Sequence, residues 1–73
     1  MNASHLAQLT LEVWRASGAR TEERRTALLH DYARSYYGPD WVLVPAIAEV
    51  VAEAHQLLRR CTRIDELQYR GAF

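Results

Sequence analysis

Seventy-three residues leave room for one domain with a small core, because a chain this short buries only about 60% of its unfolded surface. Nine basic residues, all arginine, balance nine acidic ones to a formal net charge of zero, which argues against strong non-specific binding to nucleic acid. The single cysteine, Cys61, allows no internal disulfide and suits a reducing compartment.

The first predicted helix spans about residues 4–17, "SHLAQLTLEVWRAS". Leu6, Leu9, Val13 and Trp14 recur at helical spacing, with Ala16 beside them, and predict one buried stripe. Asn2 or Ser4 supplies an N-cap oxygen for an orphan amide. Gly18 reads as the stop, since glycine enters the left-handed conformation at little cost. Arg15 complements the negative end of the helix dipole.

The second helix spans 22–37. Thr21 is its cap, and Glu22 and Glu23 favour the positive end. Leu28, Leu29, Tyr32 and Tyr36 line one face with Ala33, while Arg24, Arg25, Asp31 and Arg34 belong to the other. Gly38-Pro39 ends it. The connector that follows, 38–44, holds four large apolar residues, Trp41-Val42-Leu43-Val44. Read as an extended segment, it turns Val42 and Val44 toward the helix ends and Trp41 and Leu43 away.

The third helix begins at Pro45, whose missing amide is harmless at a first helical position, and runs to 62 or beyond. Ile47, Val50, Ala54, Leu57, Cys61 and Ile64 follow heptad a and d spacing, and Val51 and Leu58 widen the stripe. Residues 63–73 read as a short helix recapped by Thr62 or as a tail carrying Tyr69 and Phe73. The fold class is therefore all-α: a small three-helix domain, a helical hairpin preceded by an N-terminal helix, with a long amphipathic C-terminal helix. An apolar face this wide predicts a homodimer through Ile47, Val50, Val51, Ala54, Leu57, Leu58 and Cys61.

Catalytic patterns are missing from the sequence. His5, His30 and His55 fall on three different helices, and there is no HExxH, CxxC or glycine-rich phosphate loop. Cys61 sits at a core-like position and reads as a small hydrophobe. The expectation is a protein that is no enzyme, with no metal and no cofactor. No apolar run approaches the ~18 residues of a membrane span, and "MNASHLAQ" lacks the features of a signal peptide, so a cytoplasmic protein of bacterial or phage origin is expected.

What the sequence offers instead is a surface. Tyr32, Tyr36, Tyr37 and Trp41 place four of the seven aromatic residues within ten positions. Tyrosine, tryptophan and arginine are enriched at interface hot spots. Tyr36, Tyr37, Trp41 and Leu43 are therefore the candidate protein interface of a small regulator or adaptor that binds another protein and inhibits or redirects it. The alternative is a dimeric helix-turn-helix-like DNA-binding regulator, with "SGART" as the turn and Arg20, Arg24 and Arg25 as phosphate or base contacts. Glu22 and Glu23 in the same turn oppose that use. A structural subunit of a larger assembly is a third reading.

Overall fold

The computed structural model describes residues 2–60. Three helices, α1 (Ala3–Ala16), α2 (Glu22–Tyr37) and α3 (Pro45–Arg60), are joined by a short loop and by a connector containing a 3-10 turn, Trp41–Leu43. The all-α expectation holds, with no strand among the described residues. Cys61 and the whole segment 61–73, including the proposed recapping at Thr62, lie outside the described residues.

Local chemistry explains the boundaries. Asn2 Oδ1 accepts the His5 amide at 2.8 Å and so caps α1, while Ser4 is buried one position inside the helix. At the other end Ser17 is extended, and its amide donates to the Trp14 carbonyl. Gly18 is not the left-handed stop that its type suggests, because the one positive φ among the described residues belongs to Gly38. The end of α1 is set instead by the Trp14 indole, whose Nε1–H donates to the Thr21 carbonyl at 2.8 Å. That bond draws the loop back onto the helix.

Thr21 itself caps α2, its hydroxyl oxygen accepting the Arg24 amide at 3.1 Å. Replacing it by alanine removes a cap worth about 1 kcal/mol. The expected result for Thr21→Ala is a melting temperature lower by about 4–8 °C, as appropriate to a domain of this size, measured by circular dichroism. Gly38 ends α2 with φ 96° and donates its amide to the Arg34 carbonyl at 2.9 Å. A side chain there would strain the backbone. Pro45 opens α3, with Val44 held extended before it, as the residue preceding a proline prefers. The Val44 carbonyl then accepts the Ile47 and Ala48 amides.

The three helices share one core: Ala3, Leu6, Ala7 and Leu11 of α1, Leu29 and Ala33 of α2, and Val51, Ala54 and Leu58 of α3. α1 packs against both other helices, and α2 and α3 meet less extensively. The core therefore centres on α1. One surface cleft is lined by Trp14, Arg25 and Arg59, which places the end of α1, the start of α2 and the end of α3 together. The start of α2 and the end of α3 thus lie at one end of the bundle, opposite the connector that joins the other two ends.

Two faces differ from their expected orientation. On α1, Val13 is exposed and Leu9 half-buried, while Ala3, Ala7 and Thr10 are inside. The small residues allow the helices to approach closely, and this turns the buried stripe away from Leu9 and Val13. Thr10 is tolerated in the core because its hydroxyl donates to the Leu6 carbonyl at 2.9 Å, which satisfies a group that would otherwise be costly to bury. On α2, Arg25 is buried and does not share the solvent face with Arg24 and Arg34. Its guanidinium carbon lies 5.1 Å from the centroid of the Trp14 ring, a cation–π contact. Asp31 and Arg34 do pair on the exposed side of α2.

Candidate functional site: an apolar ledge on the α2–α3 connector

The connector is ordered by its own backbone. Trp41 N–H donates to Gly38 O, Leu43 N–H to Asp40 O, and Val44 N–H to Trp41 O. These bonds form a tight turn with three residues per revolution, so side chains do not alternate as they would on a strand. Trp41 packs against the core, and its other neighbour is the His30 ring, with centroids 5.5 Å apart and planes tilted by 46°. The expected orientation of Val42, Val44 and Trp41 is thereby corrected. Trp41 points in, while Val42 (61% exposed), Leu43 (76%) and Val44 (42%) point out.

Three consecutive branched apolar side chains thus stand in solvent on a hydrogen-bonded turn. Tyr36, 56% exposed in the last turn of α2, belongs to the same end of the bundle. Of the four residues expected at the protein interface, Leu43 and Tyr36 are exposed. Tyr37 and Trp41 are half-buried and pack on the core. Val42 and Val44 join Leu43 and Tyr36, against the expectation that they turn toward the helix ends. The clue was their position between Gly38 and Pro45, which fixes a turn too short for a strand.

The proposed dimer face divides in the same way. Val51, Ala54 and Leu58 are covered by the chain's own helices and are core, so they offer nothing to a second copy. Ile47, Val50 and Leu57 are half-buried at the edge of that core and keep part of their surface open. Of the three arginines considered for DNA, Arg20 and Arg24 are exposed, whereas Arg25 lies against Trp14. Glu22 and Glu23 are exposed beside Arg20 and Arg24.

His5, His30 and His55 occupy three separate helices. Among the described residues no group of three or more His, Cys, Asp and Glu could hold a metal ion. No helix among the described residues is long and apolar enough to cross a membrane. No protein family, curated protein or solved structure matches the chain.

Proposed function

We propose that this chain is a small non-enzymatic regulator that binds another protein through the ledge Val42-Leu43-Val44, with Tyr36 at its border, and blocks or redirects that protein sterically. The observation that carries this reading is the exposure of three adjacent large apolar residues on a turn whose backbone is internally hydrogen-bonded. Ordered apolar surface of that kind costs solubility and is typical of a contact surface. Preorganisation reduces the entropy lost when a partner binds. A bacterial or phage-encoded accessory protein acting in the cytoplasm fits this size and chemistry.

The test is affinity capture from the host with the wild-type chain and with Leu43→Asp in parallel. A partner retained by the former and lost by the latter, at equal thermal stability, supports the ledge. Equal capture by both overturns it. Homodimerisation through the open parts of Ile47, Val50 and Leu57 belongs to the same proposal. Light scattering should then give twice the 8.4 kDa chain mass, and Val50→Asp should return it to the monomer. A monomer at all concentrations removes the dimer and leaves the ledge untouched.

A further inference from the structure

The opposite end of the bundle holds a second arrangement that protein binding at the ledge does not use. Arg25 is 7% exposed, and a charge so far out of water normally has a close counter-charge. Here its acidic neighbour is Glu22, at 3.8 Å. That separation is too long for a charge-assisted hydrogen bond, which closes to about 2.7–2.9 Å. Glu22 itself stands 69% exposed. The guanidinium carbon lies 5.1 Å from the centroid of the Trp14 ring, a contact that limits the freedom of the fork. No buried side-chain nitrogen or oxygen among the described residues lacks a partner, and Arg25 lines an open cleft together with Trp14, Glu22 and Arg59. Arg59 comes from the last turn of α3, is exposed, and has no ion-pair partner among the described residues.

The geometry points to a carboxylate-binding site between Arg25 and Arg59, in which Glu22 is a loose internal occupant that an incoming carboxylate displaces. Two guanidiniums against one carboxylate leave the cleft one positive charge in excess. A planar fork held by an aromatic ring is suited to two parallel N–H···O bonds with a planar anion. The carboxylate class is chosen because the group already reaching for Arg25 is a carboxylate, held at a distance that a free ligand can improve. The natural source is an acidic side chain or chain end of a bound polypeptide. This site stands apart from the ledge, so each can fail without the other.

The experiment is an NMR titration of the full chain with sodium acetate, ionic strength held constant with sodium chloride. The Trp14 indole N–H and the Arg25 Nε–H are the reporters. Wild type should show saturable shifts at both. Arg59→Gln should weaken acetate about five-fold, and Glu22→Gln should tighten it about five-fold, the scale of an exposed ion pair of about 1 kcal/mol. Both residues are exposed, so neither variant tests the fold. Inorganic phosphate forms the second arm. Non-saturable shifts, shifts that follow chloride equally, or affinity unchanged in Arg59→Gln overturn the site. Tighter binding of phosphate than of acetate overturns the carboxylate assignment. A Glu22→Gln variant that binds acetate no better overturns the displacement.

Discussion

Leu29→Ala should leave the chain largely unfolded at room temperature. Leu29 is fully buried in the middle of α2 and belongs to the core that all three helices share. Truncating a buried leucine costs about 2–5 kcal/mol, the lost transfer energy plus a cavity that neighbours fill incompletely. A domain of this size rarely has more than about 3–5 kcal/mol in total. The same core holds Leu6, Leu11 and Leu58, each at most 1% exposed, and α1 and α2 are capped at both ends, which limits how far they shift to close the gap. Urea denaturation followed by circular dichroism measures this directly. A midpoint within experimental error of wild type would mean that the core is organised differently.

A second pair of variants separates the two sides of the connector. Trp41→Ala should cost about 2 kcal/mol, roughly half the value for a fully buried aromatic, because Trp41 is half-buried against the core and the His30 ring. Leu43→Asp should change stability by less than about 0.5 kcal/mol, as for ordinary surface sites, since Leu43 is 76% exposed. Its effect should fall instead on partner binding. The residues stand two apart in sequence, so the contrast between them reads the turn's geometry. If Leu43→Asp destabilises as much as Trp41→Ala, the ledge is core and the proposed interface disappears.

The parts of this fold that were legible in the sequence are those written in local chemistry. Thr21, Gly38 and Pro45 act through their own backbone or through an amide two or three residues away, so their helix boundaries needed no tertiary information. Asn2 was one of two candidates for its cap. Burial was less legible, because it depends on what approaches from elsewhere. Ala3, Ala7 and Thr10 carry little hydrophobic signal, yet close packing of α1 against both partners selects them over Leu9 and Val13. Arg25 looked like a surface cation until Trp14, eleven positions earlier, supplied a face for it to lie on. In the connector, β-branched residues suggested alternation. Glycine and proline at its two ends imposed a 3-10 turn, and that turn sent Trp41 inward and its three successors out. Val51, Ala54 and Leu58 were apolar at helical spacing as expected, but spacing alone does not say whether α1 or a second copy covers them.

The connector also has a consequence for how such a protein can diverge. Gly38, Trp41 and Pro45 hold the turn: one supplies φ 96°, one packs on the core, one starts α3. Val42 and Leu43 contribute backbone to it and keep most of their side-chain surface in solvent. Mutation at those two positions meets little resistance from folding, whereas mutation at the three supporting positions meets a great deal. Recognition can therefore drift, be lost or be acquired anew while the bundle stays as it is, much as a key blank accepts many cuts.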